Sequence, residues 1–345
     1  MPQIITLILT LLFSSLTWSK SVTIKHQFHS AALNETRPVL VHLPKNYAEQ
    51  SDKSYPVLVT LNDQDNFHWA STIVDIQAAR YGIDQMIVVG LPHTGNYSDD
   101  NFPFIDEENS MVLSPQAQKY SAFIREEAMA FVTKNYRTNG GRFIIGHSLS
   151  GLLVTQMFTQ YPQSFSAFIA LSPSMHYAPQ LTQLVSQFLN THPQLSSQFY
   201  LAIGDIEHSL IQQDYAKLAQ VFKNSAPSGL TWTASTLANT DHMLSAFKGI
   251  YDSLAWLYQD WSIRDTQAQT MTATDIINHY QQLSQRLHYP IKPREKNMRG
   301  LSWFLAEKLA QPNAAQQVLQ ASLHFYPDST AIQHALKELK LSNTK

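Results

Sequence analysis

Residues 141–152 read GRFIIGHSLSGL and carry a serine in a setting suited to nucleophilic attack on a carbonyl carbon. Such an attack needs an exposed hydroxyl, a base that takes its proton, and N–H donors for the oxyanion that forms. A sharp turn from a strand into a helix exposes the hydroxyl if the residues two positions before and after it are small. Here these residues are Gly146 and Ser150. The segment therefore predicts Ser148 as a nucleophile and the N–H of Leu149 as an oxyanion donor.

An acid and a base are expected further along the chain. In sheets that use this kind of turn, an acid and then a histidine follow the serine in chain order. One later apolar run is followed by GDIEH, which contains the two competing carboxylates Asp205 and Glu207. The next run is followed by ANTDHMLSAF, which contains His242. We predict His242 as the general base. His208 is a weaker alternative, because a histidine next to the acid is poorly placed to reach Ser148.

Loops at the same edge of the sheet should complete a substrate pocket. Where a strand turns sharply into a helix in this way, a second oxyanion donor comes from the loop after an early strand of the same sheet. The loop after the apolar run 55–61 therefore predicts the N–H of Asp63 or Gln64 as the second donor. Ligands of open α/β sheets bind beyond the carboxyl ends of the strands. The predicted substrate contacts are therefore His93, Asn96, Tyr97, His147, Met175, His176 and Tyr177.

The elements that must position these residues alternate between strands and helices. Nearly continuous apolar runs, which suit parallel strands buried on both faces, occupy residues 55–61, 86–92, 142–146, 165–173, 198–204 and 230–237. Two earlier runs, 22–28 and 37–44, predict a strand pair near an edge. A helix is expected over 114–136, with Ser114 as its N-cap. This alternation predicts an α/β fold with a doubly wound, mostly parallel sheet.

The two ends of the chain differ from its centre. The apolar core from Ile4 to Phe13 predicts a signal peptide over residues 1–19, and hence an exported, periplasmic or secreted protein with no membrane span after removal of the signal. From Thr272 onward only helical periodicity is found. We therefore expect an α/β domain over 20–265, which carries the predicted site, and a helical, TPR-like extension over 272–345. The extension could form a homodimer contact or dock a partner.

Several longer motifs strengthen the prediction from Ser148. The segments FIREEAMAFVTKNYRTNGGRFIIGHSLSGL, YPQSFSAFIALSPSM and IVVGLPHTGNYSDDNFP resemble the putative-esterase (esterase D-like) family of α/β-hydrolases. The chain is most similar to the branch that includes enterochelin and salmochelin esterases. The resemblance implies an α/β-hydrolase fold, hydrolysis of a carboxylic ester through an acyl-enzyme, and a G-x-x-E pattern that selects Glu207 over Asp205. It also suggests a siderophore-type ester or lactone as substrate.

One departure and two alternatives qualify this assignment. Relatives often carry arginines in the loop that corresponds to 96–98, where this chain has Asn96 and Ser98. An anionic ferric siderophore is therefore a less natural substrate than a general carboxylic ester. An acyltransferase would use the same three residues, and a binding protein that had lost catalysis would fit Ser150 at the usual glycine position.

Composition narrows the function classes. The formal net charge is −2 and charged residues make up 14% of the chain, so no general field attracts nucleic acid. We expect a small-molecule ester as the partner and neither a metal site nor a cofactor. The chain contains no cysteine, so its own core must hold the fold together.

Overall fold

The computed structural model describes residues 21–62, 64–80, 82–95, 97–107 and 110–342. Its strands are β1 (Val22–Ser30), β2 (Glu35–Leu43), β3 (Tyr55–Asn62), β4 (Ile87–Pro92), β5 (Phe104–Glu107), β6 (Ser110–Leu113), β7 (Thr138–His147), β8 (Ala167–Leu171), β9 (Ser197–Ile206) and β10 (Leu230–Asp241). Eight of them form one sheet in the order β1-β2-β4-β3-β7-β8-β9-β10, and β5 pairs with β6 in a separate hairpin. The predicted signal peptide lies outside the described residues.

Burial on both faces explains the direction of the strands. Every residue of β4 and of β8 is buried, as expected for strands covered by helices on two sides. In the eight-stranded sheet, the neighbouring strands β4, β3, β7, β8, β9 and β10 all pair in parallel. At the other edge, β1 pairs with β2 and β2 pairs with β4 in antiparallel fashion. The predicted α/β-hydrolase fold with a mostly parallel sheet is confirmed.

Helices cover both faces of the sheet. They are α1 (Gln64–Ala79), α2 (Tyr97–Asn101), α3 (Pro115–Ala122), α4 (Met129–Asn135), α5 (Leu149–Gln160), α6 (Gln180–Thr191), α7 (Ser209–Ser225), α8 (His242–Leu257), α9 (Asp265–Ala268), α10 (Ala273–Leu287), α11 (Glu295–Glu307), α12 (Pro312–Phe325) and α13 (Thr330–Ser342). None of the described helices combines the length and the apolar character that crossing a membrane requires.

The helix expected over 114–136 is not uniform. Ser114 caps it as predicted, because its side chain accepts a hydrogen bond from the N–H of Ala117. A π-helical segment, Phe123–Ala128, then separates α3 from α4. The wider turn adds a residue to the helix without breaking it. Phe123 and Ile124 of this segment are buried in the core, as is Val132 of α4.

The C-terminal helices share a hydrophobic core with one face of the sheet. Buried residues of α10, including Tyr280 and Leu287, belong to the same cluster as Phe143 of β7 and Tyr258 just after α8. The Tyr258 and Tyr289 hydroxyls lie 2.5 Å apart within this cluster. The core therefore continues across residues 265–275, and the division of the chain into two domains there stays a prediction.

Candidate active site

Ser148 lies at the junction of β7 and α5, in a strained backbone conformation. Its φ is 59° and its ψ is −119°, a combination that costs free energy in a non-glycine residue. Two hydrogen bonds hold it there, since its N–H donates to the carbonyl of Leu171 at 3.0 Å and its carbonyl accepts from the N–H of Ser174 at 3.1 Å. The half-buried side chain thus projects at the carboxyl edge of the sheet.

The small neighbours of Ser148 have a direct steric reason. A Cβ atom on Gly146 would lie 2.1 Å from the carbonyl oxygen of Ser150, so no larger residue fits there. Ser150 replaces the usual glycine of this turn and is fully buried. Its hydroxyl accepts from the N–H of His147 and donates to the carbonyl of His147, both at 3.0 Å. Ser150 therefore links the start of α5 to the end of β7.

Two side chains from other strand ends meet beside Ser148. Nε2 of His242 lies 3.0 Å from the Ser148 Oγ, and its Nδ1 lies 2.9 and 3.1 Å from the two carboxylate oxygens of Glu207. His242 is the first residue of α8 and directly follows β10, while Glu207 directly follows β9. The Glu207 side chain has no exposed surface. Burial alone would raise the pKa of Glu207, but the hydrogen bond with His242, together with the nearby Ser172 hydroxyl and the His242 and His147 imidazoles, outweighs burial and lowers that pKa.

Asp205, the competing carboxylate, has other partners. Its two oxygens accept the N–H groups of Thr240 and Asn239, both at 2.9 Å. These backbone hydrogen bonds lower the pKa of the exposed Asp205 carboxyl. The geometry therefore favours Glu207 as the partner of His242. Asp205 instead orders the loop that directly precedes His242.

A second imidazole packs against His242. The His147 ring centroid lies 4.8 Å from that of His242, and Nε2–H of His147 donates to the His242 carbonyl at 2.8 Å. The Ser245 hydroxyl donates to the same carbonyl at 2.6 Å. Burial lowers the pKa of His147 to about 4, so this ring is neutral near pH 7 and acts here as a hydrogen-bond donor.

Two helix N-termini lie at the same edge as potential oxyanion donors. Leu149 is the first residue of α5, and Gln64 is the first residue of α1. The strands before them, β7 and β3, are parallel neighbours, so both helices begin at the same edge of the sheet. The first N–H groups of a helix have no partner within it and favour negative charge. Asp63, the other predicted donor, lies outside the described residues.

Four of the predicted substrate contacts lie at the surface or partly buried. The rings of His93 and Tyr97 are 5.0 Å apart. His176 packs on Tyr177 with ring centroids 4.2 Å apart, and Tyr177 also contacts Phe102. Tyr177 is 55% exposed, so part of its surface is available to a ligand.

The other predicted substrate contacts need correction or lie outside the description. Met175 is fully buried in the core cluster between the sheet and its helices, so it offers no surface to a substrate. Its apolar side chain, at the start of a short 3₁₀ turn, points inward. His147 is also buried and contacts His242 instead of the pocket. Asn96 is outside the described residues.

Sequence reasoning missed three serines that lie beside Ser148 and His242, namely Ser174, Ser172 and Ser245. Ser174 Oγ lies 3.1 Å from Ser148 Oγ, and Ser172 donates to Ser245 at 2.8 Å. The first two come directly after β8, and that position at a strand's carboxyl end is the signal that could have identified them. In the part of the chain that the structure covers, no group of three or more His, Asp or Glu residues is arranged to hold a metal ion.

Known proteins share the sequence pattern. Residues 30–320 match the family described as putative esterase. The uncharacterized protein YjcH of Bacillus subtilis is 30% identical over 155 residues, which cover 43% of this chain and 60% of that protein. Ferri-bacillibactin esterase BesA of the same organism is 26% identical over 167 residues, or 42% of this chain and 56% of that protein. Both matches span less than two thirds of the relative's own length.

Solved structures share the fold. An IroE-like serine hydrolase from Shewanella oneidensis gives a TM-score of 0.72 at 22% identity, covering 89% of this chain and 100% of that one. Siderophore hydrolase EstA from Aspergillus nidulans gives 0.57 at 17% identity, with 69% and 94% covered. The family match spans most of the chain and includes every strand end that carries the site. The chain belongs to the putative esterase family of α/β-hydrolases.

Proposed function

We propose that this protein is a serine esterase that hydrolyses a carboxylic ester through an acyl-enzyme on Ser148. The observation that carries the proposal is the continuous contact from Ser148 Oγ to His242 Nε2 at 3.0 Å and from His242 Nδ1 to Glu207 at 2.9 Å. This arrangement provides a nucleophile, a base within reach of its proton, and a carboxylate that fixes the tautomer of the base.

The proposed reaction has two halves. His242 takes the proton of Ser148 as Oγ attacks the ester carbonyl, and the N–H groups of Leu149 and Gln64 stabilise the oxyanion. His242 then gives the proton to the leaving alcohol, which departs. Water attacks the acyl-enzyme with His242 again as base, and the acid product leaves. Glu207 remains ionised throughout and stabilises the imidazolium.

The names of two relatives indicate where to begin with substrates. BesA is named a ferri-bacillibactin esterase and EstA a siderophore hydrolase. Within the class of carboxylic esters we therefore propose siderophore-type esters and lactones as the first natural compounds to assay. The exposed aromatic ring of Tyr177 fits an aromatic group of such a compound.

Replacement of the nucleophile tests the proposal. The Ser148→Ala variant should hydrolyse p-nitrophenyl acetate with kcat lower by roughly 10⁴ or more, and a fluorophosphonate probe should label the wild type at Ser148 but not this variant. Ser225→Ala is a matched control, because Ser225 ends α7, a helix that begins beside Glu207 and runs away from the site. Unchanged turnover in Ser148→Ala would exclude the mechanism.

We also propose that residues 1–19 direct export. The support is the apolar stretch from Ile4 to Phe13, which is followed by small and polar residues. Expression in a Gram-negative host, cell fractionation and N-terminal sequencing test this proposal. The exported protein should begin at Lys20, whereas recovery of the intact N-terminus from the cytoplasm alone would contradict export.

A further inference from the structure

A second hydroxyl contacts the nucleophile and has no part in the reaction described so far. Ser174 lies in the turn after β8, and only 3% of its surface is exposed. Its Oγ is 3.1 Å from Ser148 Oγ, and its N–H donates to the Ser148 carbonyl at 3.1 Å. Residue 174 therefore touches residue 148 with both its main chain and its side chain, so the position of its hydroxyl is fixed.

The direction of the bond between the two hydroxyls follows from the rest of the site. Both carboxylate oxygens of Glu207 face Nδ1 of His242, so Nδ1 carries the imidazole proton and Nε2 is an acceptor. The Ser148 hydroxyl must then donate its single proton to Nε2, 3.0 Å away. No proton remains on Ser148 for Ser174. In the resting enzyme Ser174 is therefore the donor and Ser148 Oγ the acceptor.

We propose that Ser174 is a catalytic residue that stabilises Ser148 Oγ when this oxygen is expelled from the acyl-enzyme. The inference rests on the proposed esterase function. In the last step, the bond between the acyl carbon and Oγ breaks and its electron pair stays on Oγ. The proton that water gave to His242 then passes from Nε2 to Oγ. A hydroxyl donor beside Oγ lowers the energy of the negative charge that develops there.

The effect should differ between the two halves of the reaction. Before acylation Ser148 Oγ already accepts the bond from Ser174, so the donor stabilises the ground state about as much as the transition state and changes the rate little. In the acyl-enzyme Oγ is an ester oxygen and a weak acceptor. The donor then acts mainly in the transition state for deacylation. Ser174 should therefore accelerate deacylation and leave acylation nearly unchanged.

Pre-steady-state kinetics of Ser174→Ala separate these steps. With p-nitrophenyl acetate we expect the acetyl group on Ser148, followed by mass spectrometry, to decay about tenfold more slowly than in the wild type, since one hydrogen bond is lost. kcat/KM, which reports acylation, should stay within about twofold. The burst of p-nitrophenol should be larger, and KM should fall together with kcat.

Matched variants guard against a general structural effect. Ser253→Ala removes another buried hydroxyl, which bonds the Ile250 carbonyl, and it should leave both steps unchanged. Ser174→Cys keeps nearly the same volume with a weak donor and should slow deacylation in the same direction even if Ser174→Ala does not fold. The chain has no native cysteine that could pair with it.

The outcomes separate this proposal from the proposed function. If the wild type forms an acyl-enzyme on Ser148 and the folded variants at position 174 release it at the wild-type rate, Ser174 has no catalytic part. An equal fall in kcat/KM and in acyl-enzyme decay would also overturn the inference, because it would reveal a role in folding or in orienting Ser148. A wild type that forms no acyl-enzyme at all would instead refute the esterase function.

Discussion

At the scale of single residues, two carboxylates two positions apart have different surroundings. Glu207 is buried with both oxygens on His242, whereas Asp205 is exposed with both oxygens on backbone N–H groups. From the sequence alone both carboxylates follow the same strand. What separates them is the end of β9 at Ile206: Asp205 still lies in the strand, whereas Glu207 follows it. Residues two apart share a face only while the strand continues, so the two side chains can take different directions here.

Amide substitutions test this difference. Glu207→Gln should lower kcat by roughly 10³–10⁴-fold, because an amide donor facing Nδ1 favours the wrong tautomer of His242. Asp205→Asn should cost less than about tenfold, since the amide oxygen can still accept one backbone N–H. Steady-state hydrolysis of a chromogenic ester measures both. A larger effect at Asp205 than at Glu207 would reverse the assignment.

His147 gives the folded protein a specific sensitivity to acid. Its pKa is about 4 in the folded protein and about 6.5 in an unfolded chain. Between these values the unfolded chain binds a proton that the folded one does not, so the free energy of unfolding falls as the pH falls from about 6.5 to about 4. The full effect is roughly 3 kcal/mol.

Comparison with a variant isolates this contribution. His147→Gln keeps an N–H donor near the His242 carbonyl and removes the titration. Urea unfolding at pH 7 and at pH 4.5 should show that the wild type loses roughly 2 kcal/mol more than the variant. Parallel losses in the two proteins would show that the protonation of His147 does not contribute.

At the scale of elements, the sequence predicts those parts of the fold that local patterns determine. Most of the sheet, the edge pair and the start of α3 follow from local apolar patterns, so the sequence predicts them. The π-helical segment Phe123–Ala128 and the burial of Met175 in the core depend on packing against other elements. No spacing rule within one segment could predict them.

The turn between β7 and α5 depends on the Ser150 hydroxyl, and Ser150→Ala tests this dependence. The variant loses two hydrogen bonds within the buried turn, so we expect the free energy of unfolding to fall by about 1–3 kcal/mol. Ser71→Ala is a suitable comparison, because its buried hydroxyl bonds only a carbonyl of its own helix, and its loss should be smaller. Denaturant midpoints of both variants provide the measurement. Equal stability of Ser150→Ala and the wild type would refute the role given to this hydroxyl.

At the scale of the whole molecule, the C-terminal helices and the sheet share one cluster of buried side chains. Arg294 just before α11 donates to the carbonyls of Ala78 and Ile83, at 2.8 and 3.0 Å, and Leu287 is fully buried in the shared core. Helical periodicity predicts the existence of these helices. It does not reveal their contact with α1 and α8, since an amphipathic helix indicates an apolar face and not the surface that covers it.

We therefore expect a single cooperative unfolding transition. Leu287→Ala should lower the free energy of unfolding by about 2–5 kcal/mol and shift that one transition without splitting it. Leu184→Ala, at a position 38% exposed on α6, should have a smaller effect. Calorimetry measures both variants. Two transitions, of which only one responds to Leu287→Ala, would show that the extension folds independently.

The hydrogen bond from His147 to the His242 carbonyl has a consequence for how such an enzyme could evolve. His147 precedes Ser148 in the chain, so the nucleophile and the base share one rigid support. We therefore expect the separation of their reacting atoms to be maintained when nearby loops, such as the one that carries His93 and Tyr97, change length or sequence. Under the proposed esterase function, we expect that remodelling of those loops would admit new substrates while the path of the proton remains as it is.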